Sequence, residues 1–277
     1  MKFETLIKHF LLWEQDNLTN GSNIRGTLKN LILKLDLSTR IRYSPVVEHL
    51  KKNYSPLYKV LEVGSGSVGI TRYFKNRIYG ADLNFSGPKL PHLIPVKCSA
   101  THLGFQTNHF DLVFSVDMLE HIPKNLRRSV ISEMLRVSKK WIIVGFPSGT
   151  KAISWEQRVL RFWQRKVGNA KNKDTRERIL RRGGFLAEHH DNDLPTDEEI
   201  ISIVTETAPS FVNIQKFENE SPIVWYLLVL GKIRFSNFVW LTTLILGNLL
   251  APLLKRLHIC GYYRRFFVIQ KLANGNQ

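Results

Sequence analysis

Short apolar runs alternate with longer polar or amphipathic stretches through the middle of the chain. Five runs have the length of a β-strand, and they cover residues 60–63, 77–83, 93–97, 110–116 and 141–146. Between the last two runs, apolar residues recur at helical spacing: Leu126, Val130, Ile131, Met134 and Leu135. Strands that alternate with helices favour a parallel sheet covered by helices on both faces. The pattern therefore predicts an α/β fold.

The regular alternation stops after residue 150. Residues 151–182 have the pattern of a basic helical stretch, and Thr196 is placed to cap a later helix whose first turn is acidic. Two more strands are predicted, at 211–218 and 262–272, and they would close the sheet. A very apolar segment separates these two strands.

Helices are also predicted before the first strand. Two helical pieces are separated by a break at 20–22, and a third helix is expected to begin at Ser44 and Pro45. Serine caps helices and proline suits the first helical position. The first piece carries charged residues between its apolar ones, so it predicts an amphipathic helix rather than a signal peptide.

The apolar segment 235–254 contains twenty residues without a charge, which is the length of a helix that spans a bilayer. A single crossing would leave the last strand across the membrane from its sheet, and Gly247, Asn248 and Pro252 interrupt the helix. Basic residues flank both ends, as in helices that lie in the interface of an anionic membrane. An interfacial segment is favoured, and a soluble hydrophobic lid and a true span stay open.

The net charge and the cysteine content indicate which partners and which cellular compartment suit the chain. Lysine and arginine exceed aspartate and glutamate by 17, so the chain attracts nucleic acid, anionic lipid or acidic substrates. Eleven basic and three acidic residues fall in 151–182, which forms either a solvated helix face or a docking surface for phosphate-bearing partners. Cys98 and Cys260 lie too far apart to suggest a disulfide framework or a metal spacing. The predicted location is the cytoplasm.

The first predicted strand leads into a glycine-rich loop, 64–69, which matches the pattern G-x-G-x-x-G. In an open parallel sheet, ligands lie beyond the carboxyl ends of the strands, where glycines let the main chain approach and present N–H groups. Glu62, just before the loop, suits a cationic amino group better than a pyrophosphate. Asp82, at the end of the second strand, suits ribose hydroxyls. This pair favours a ligand with a ribose, a cationic amino-acid group and no phosphate.

A family resemblance is carried by four motifs: VLEVGSGSVG (60–69), YGADLN (79–84), CSATHLGF (98–105) and FDLVFSVDMLEHIP (110–123). These motifs resemble class I S-adenosylmethionine-dependent methyltransferases, close to the small-molecule type found in ubiquinone biosynthesis. The resemblance covers about 42–149. It implies S-adenosyl-L-methionine as cofactor and a Rossmann-like, doubly wound sheet of seven strands, mostly parallel with an antiparallel last strand.

The resemblance also implies the residues that hold the cofactor. They are Glu62, Gly64 and Gly66 for the methionine part, Asp82 for the ribose, and Ser99 and Ala100 for the adenine. Ser65 and Leu83, which adjoin these residues, are also expected to bind the cofactor, and Asp117, near the end of the fourth strand, is favoured for the rim of the site. Two positions depart from the family pattern. Val68 stands where a further glycine is usual, and Ser99 stands where an aspartate is usual.

One structural domain with four parts is expected. The parts are an N-terminal helical extension (1–42), a cofactor-binding core (43–150), a basic helical region over the substrate (151–210), and the last two strands (211–277), which hold an apolar insert at about 222–258. That placement of apolar helices resembles some methyltransferases of glycan and lipid-linked pathways. It implies an acceptor that is hydrophobic or carried on a lipid.

Methyl transfer needs alignment of the acceptor and, for some acceptors, removal of a proton. The candidate bases are His121, His189 and His190. For His121 a structural interpretation is favoured, in which its ring holds the turn after the fourth strand. Glu120 is interpreted as a capping or ion-pairing residue. No metal site is predicted, because the sequence places no further ligands beside the histidine pair.

The predicted enzyme methylates a small-molecule or lipid- or glycan-linked acceptor at an anionic membrane surface in the cytoplasm. A non-catalytic membrane adaptor with the same fold is one alternative, favoured by Val68 and Ser99. An RNA methyltransferase is a weaker alternative: residues 115–123 lack the motif of amino-directed enzymes, and Cys98 lies in the adenine motif rather than at a nucleophile position. The oligomeric state is not predicted.

Overall fold

The computed structural model describes residues 37–86, 90–169, 172–173, 186, 188–208, 211–234 and 261–272. One sheet forms its centre. Its strands are β1 (Val60–Val63), β2 (Ile78–Asp82), β3 (Leu93–Lys97), β4 (Phe110–Val116), β5 (Ser138–Pro147), β6 (Val212–Asn219) and β7 (Arg264–Lys271). They lie in the order β3-β2-β1-β4-β5-β7-β6.

The strands β1 to β5 pair with one another in parallel, and β7 lies antiparallel between β5 and β6. The predicted doubly wound sheet of seven strands, mostly parallel with an antiparallel last strand, is therefore confirmed. The order reverses at β1, whose neighbours are β2 on one side and β4 on the other. Ligands of such sheets bind beyond the carboxyl ends of the strands at this reversal.

Helices cover both faces of the sheet. They are α1 (Leu37–Asn53), α2 (Lys124–Val137), α3 (Gly149–Gly168), α4 (Asp197–Thr207) and α5 (Pro222–Arg234), and short 3-10 turns occur at Gly69–Arg72 and Leu119–His121. One buried cluster joins the sheet to α2 and α4, and a second joins the opposite face to α1. Four of the five apolar positions that predicted α2 are buried, namely Val130, Ile131, Met134 and Leu135, whereas Leu126 is 41% exposed. The sequence pattern therefore identified the packed face of this helix except at its first turn.

The helix start predicted at Ser44 is wrong, because α1 is already helical from Leu37 and Pro45 lies inside it. A proline has no N–H to donate to the carbonyl four residues earlier. That carbonyl, of Ile41, instead accepts hydrogen bonds from Ser44 Oγ at 2.8 Å and from Asn219 Nδ2 at 3.1 Å. A side chain at the end of β6 therefore helps the helix to continue through a residue that normally begins one.

The acidic helix predicted after Thr196 is confirmed as α4, and Thr196 Oγ1 accepts a hydrogen bond from the N–H of Glu199 at 3.2 Å. The first part of the basic stretch 151–182 forms α3. The helices predicted before residue 37 and the apolar segment 235–254 lie outside the described residues. Within the described ranges, no helix has both the length and the apolar character that a membrane crossing requires.

Candidate functional site

The glycine loop after β1 has left-handed backbone at Gly64, Gly66 and Gly69, with φ of +78°, +53° and +48°. A Cβ at Gly69 would lie 2.1 Å from Glu62 Oε2, and a Cβ at Gly64 would lie 2.7 Å from Met118 Cγ. A Cβ at Gly66 would meet no atom within 4 Å. Two glycines therefore serve packing inside the protein, and Gly66 presents open main chain at the crevice.

Glu62 is 1% exposed and both its carboxylate oxygens are hydrogen-bonded. Oε1 accepts from the hydroxyl of Tyr43 at 2.6 Å, and Oε2 accepts from the N–H of Ile70 at 2.8 Å. Burial raises the pKa of Glu62 to about 7. The sequence did not single out Tyr43, whose hydroxyl ties α1 to the carboxylate that orients the 3-10 turn after the loop.

This buried carboxyl makes stability depend on pH. A raised pKa means that the folded state binds the proton more tightly, so the stabilisation is complete below the unfolded pKa and is lost as pH rises through about 7. From about pH 5 to about pH 8, the unfolding free energy of the wild type should fall by ~2 kcal/mol relative to Glu62→Gln. Urea unfolding of both proteins across this range measures the difference. A constant difference would contradict the raised pKa.

Asp82 connects the end of β2 to the glycine loop. Its Oδ2 accepts the N–H of Gly66 at 2.7 Å, and its Oδ1 accepts the N–H of Asn84 at 3.0 Å. The neighbouring Leu83 is 66% exposed and presents an apolar surface beside the carboxylate. Asp82, the residue predicted for the ribose, therefore lies at the carboxyl end of β2, next to the open main chain of Gly66.

The residues predicted for the adenine follow β3, the neighbour of β2. Ser99 Oγ lies 2.8 Å from Thr101 Oγ1. Ala100, the residue between these two, is half-buried. Ser65, in the glycine loop, is buried and its hydroxyl donates to the carbonyl of Gly66 at 2.9 Å. The parallel pairing of β1, β2 and β3 thus aligns the predicted cofactor residues along one edge of the sheet.

Asp117 follows β4 with a left-handed φ of +52°. Its carboxylate accepts hydrogen bonds from Arg264 Nε and Nη2, both at 2.7 Å, and from Arg42 Nη1 at 3.2 Å. Burial would raise the pKa of Asp117, but the two guanidinium groups outweigh burial and hold it below its ordinary value. Arg264 also forms an ion pair with the fully buried Glu220. The carboxylate predicted at the cofactor rim is therefore bound by two arginines.

A second polar cluster lies beyond the carboxyl end of β4. His121 comes from the 3-10 turn there, and His189 comes from the helical residues 188–191. The Nδ1 atom of His121 lies 2.8 Å from Glu188 Oε2, and that of His189 lies 3.0 Å from Glu156 Oε1. Their Nε2 atoms lie 3.4 Å apart. Two of the predicted bases, 68 residues apart in sequence, are therefore brought together.

Glu120 completes this cluster and is 1% exposed. Within the described part of the chain, its Oε2 has no hydrogen-bond partner. Burial, together with the negative charge of Asp117, raises the pKa of Glu120 well above its ordinary value. Burial and the neighbouring His189 lower the pKa of His121, so the His121 ring is neutral at neutral pH. His190, the third predicted base, is exposed.

Arg127, on α2, is completely buried and holds the two histidine-bearing segments together. It donates to main-chain oxygens on both sides of His121 and to main-chain oxygens just after His189. The acceptors are the carbonyls of Leu119, Ile122, Asn192 and Asp193 and the carboxylate of Glu199. Sequence reasoning missed Arg127, because an arginine in an amphipathic helix has the same local pattern whether it faces solvent or a buried turn.

A cavity of about 100 Å³ opens beside His189, between α3 and residues 186–194. Its lining is partly apolar, with Leu160, Leu186 and Leu194, and partly polar, with His190 and Asp193. The cavity therefore offers a small space with one apolar and one polar part next to the histidine cluster.

Residues 61–141 match the sequence model of a methyltransferase domain family. The matched segment begins in β1, contains the glycine loop, Asp82 and Asp117, and ends in β5. No curated protein sequence matches the chain.

Several solved structures are similar to the chain at low identity. Magnesium protoporphyrin IX methyltransferase from Synechocystis PCC 6803, with bound SAH, is 12% identical over 96% of this chain and 93% of that one, with a TM-score of 0.47. Phosphoethanolamine N-methyltransferase 2 from Haemonchus contortus is 15% identical over 86% of this chain but only 57% of that one, with a TM-score of 0.46. Geranyl diphosphate C-methyltransferase from Streptomyces coelicolor is 10% identical over 83% of this chain and 79% of that one, with a TM-score of 0.42.

Proposed function

We propose that this chain, an S-adenosylmethionine-dependent methyltransferase by its domain at 61–141, transfers the methyl group to a small-molecule or lipid-linked acceptor. The main support is the arrangement at the ends of β1 and β2. There Asp82 accepts the N–H of Gly66, and the space above Gly66 is open. A carboxylate beside open main chain suits a ribose whose neighbouring groups lie against the loop.

The residues present fit this cofactor. Gly64, Ser65 and Gly66 would hold its methionine part, Asp82 its ribose, and the exposed Leu83 the face of its adenine. Glu62 would act from behind the loop, since Tyr43 and Ile70 already occupy its oxygens. When bound, the cofactor supplies a methyl group on a positively charged sulfur.

The protein's own contribution is to position the acceptor and to receive its proton where the acceptor carries one. His121 and His189 lie beyond β4, beside the strand end that borders the glycine loop. Each ring has its Nδ1 atom on a carboxylate, which leaves Nε2 as the atom that can accept a proton. The cavity next to His189 gives a small acceptor an apolar place to lie.

Replacing Asp82 by asparagine should weaken cofactor binding by about 1–3 kcal/mol, which is a ~5- to 150-fold rise in Kd, because a charged acceptor for the ribose is lost. Calorimetric titration with S-adenosylmethionine measures the change. Asp111→Asn is a matched control, since Asp111 also accepts a hydrogen bond from a main-chain N–H, that of Lys59, at 2.9 Å. Asp111 lies at the amino end of β4, whereas Asp82 lies at the carboxyl end of β2. Equal affinity of the wild type and Asp82→Asn would refute the ribose assignment. Urea unfolding without cofactor separates this effect from damage to the loop.

The lipid-linked acceptor and the cytoplasmic membrane surface are the finer part of the proposal. Support comes from the uncharged segment 235–254 with basic residues on both flanks. Cell extract given the enzyme and methyl-labelled cofactor is divided into organic, aqueous and nucleic-acid fractions. Enzyme-dependent label in the organic fraction is expected. Label only in aqueous small molecules would retain the methyltransferase but reject the lipid-linked acceptor, and label in RNA would reject both acceptor classes.

A further inference from the structure

Three side chains with metal-binding atoms converge beyond β4, outside the residues assigned to the cofactor. They are Glu120, His121 and His189, and one ligand atom from each lies within 4.8 Å of the other two. Glu120 and His189 are almost fully buried, at 1% and 4% exposed, and the side chain of His121 is 34% exposed. The cluster therefore has a buried floor and one side open to solvent.

The hydrogen bonds of the two imidazoles determine which of their nitrogen atoms carry protons. The Nδ1 atoms of His121 and His189 lie against the carboxylates of Glu188 and Glu156, so each Nδ1 is a donor. In a neutral ring the remaining nitrogen is then an acceptor. The two Nε2 atoms nevertheless face each other at 3.4 Å, with the partnerless Oε2 of Glu120 in the same cluster. Two imidazole groups and a buried carboxyl group therefore converge on one point, which is the arrangement of a site for a cation.

We propose that Glu120, His121 and His189 bind a divalent first-row transition-metal ion through one carboxylate oxygen and two imidazole Nε2 atoms. The spacing of the histidines fits this role. Two ligands at about 2.0–2.1 Å from a tetrahedral zinc ion are ~3.3 Å apart, and the observed Nε2 separation is 3.4 Å.

The atoms behind the ligands have the arrangement typical of metal sites. A metal-bound histidine almost always donates its second N–H to a carboxylate or carbonyl, which fixes the ring and increases its basicity. Both histidines have such a carboxylate, and Glu156 is itself held by the hydroxyl of Tyr263 at 2.6 Å. Arg127 fixes the main chain on both sides of the site. The site is therefore held in place by the fold.

The ligand set limits the class of metal. Two imidazoles and a carboxylate suit Zn²⁺, Fe²⁺, Co²⁺ or Mn²⁺, whereas Ca²⁺ takes oxygen ligands only. Asp117 does not count as a ligand, because Arg264 and Arg42 hold its oxygens. Three protein ligands leave at least one coordination position for water or an oxygen atom of a substrate. An Nε2 atom that binds the ion cannot also accept a proton, so the metal site and the histidine base are alternative uses of the same two rings.

The experiment uses the full chain without a histidine tag and without cofactor. Titration with Co²⁺ should produce visible ligand-field bands that saturate at one ion per chain, and added Zn²⁺ should remove them. His121→Ala should weaken Co²⁺ binding by more than the ~10- to 100-fold expected for Glu156→Gln, which removes only a supporting hydrogen bond. His190→Ala is the matched control, because this neighbouring histidine is exposed and outside the ligand set, and its Co²⁺ affinity should equal that of the wild type.

His121→Ala removes a side chain that is one-third exposed, and Glu120→Gln keeps the shape of the carboxylate, so the two variants test the site by independent changes. Thermal unfolding of each metal-free variant confirms that it is folded. Absence of ligand-field bands in the wild type, or Co²⁺ affinity unchanged in both folded variants, would overturn the proposal and favour a proton shared by the histidines. Because binding is measured without cofactor, this failure would leave the methyltransferase function intact.

Discussion

Replacing Arg127 by methionine should lower the free energy of unfolding by about 3–5 kcal/mol. The methionine fills a similar volume but donates no hydrogen bond. Two pairs of main-chain carbonyl groups, in 119–122 and 192–193, would lose the hydrogen bonds that Arg127 donates, and Glu199 would lose its cation. Urea unfolding monitored by circular dichroism measures the loss.

The neighbouring Arg128 provides the matched control. It also pairs with a glutamate of α4, Glu206, but both side chains are about half exposed. Exposed ion pairs contribute about 0–1 kcal/mol, so Arg128→Met should remain within that range. Similar losses in Arg127→Met and Arg128→Met would show that the buried hydrogen bonds of Arg127 contribute little to stability.

Replacing Arg264 by methionine should cost a similar amount, about 3–5 kcal/mol, for an electrostatic reason. Glu220 is fully buried and the side chain of Asp117 is 10% exposed, and Arg264 lies between them. Without the guanidinium group, Arg42 is the cation that remains on Asp117. Glu220 would then lose the charge that offsets its desolvation, and Asp117 would lose one of the two arginines that bind it. Urea unfolding near neutral pH measures the effect.

A double-mutant cycle separates this charge effect from lost packing. Glu220→Gln removes the negative charge of Glu220 while it keeps the size of the side chain. In the Arg264→Met background, Glu220→Gln should restore at least ~1 kcal/mol, although in the wild-type background it should destabilise. If Glu220→Gln is destabilising to the same extent in both backgrounds, Glu220 and Arg264 are not energetically coupled.

The strands and the glycine loop could be predicted from the sequence because their signals are local. A buried parallel strand is a short apolar run, so 60–63, 93–97 and 110–116 coincide with β1, β3 and β4. The glycine loop and Asp82 occur at a fixed spacing from those strands, and the structure places them at one edge of the sheet. Val68, which departs from the family pattern, lies within this loop, and its side chain is buried in the core.

The interactions that hold the site together could not be predicted from the sequence, because their partners lie far apart along the chain. Asp117 and Arg264 are 147 residues apart, and nothing near either residue marks the other. The same holds for Arg127 and the turns on which it acts. Pro45 gave a misleading local signal, since one donor to the carbonyl of Ile41 is Asn219, 178 residues away in sequence.

By itself, therefore, the sequence determined the α/β sheet and the glycine loop with its two carboxylates, because each depends on the period or spacing of neighbouring residues. The methyltransferase assignment came from the resemblance of four motifs to a known family, and residues 61–141 match a methyltransferase domain model. Only the tertiary structure decided that His121 meets His189 beside Glu120, and that Arg127 and Arg264 are buried between carbonyls and carboxylates. Periodicity reports which face of an element is buried. It does not report which distant polar group packs against that face. The contact between a buried charge and such a group determines the chemistry of the charge.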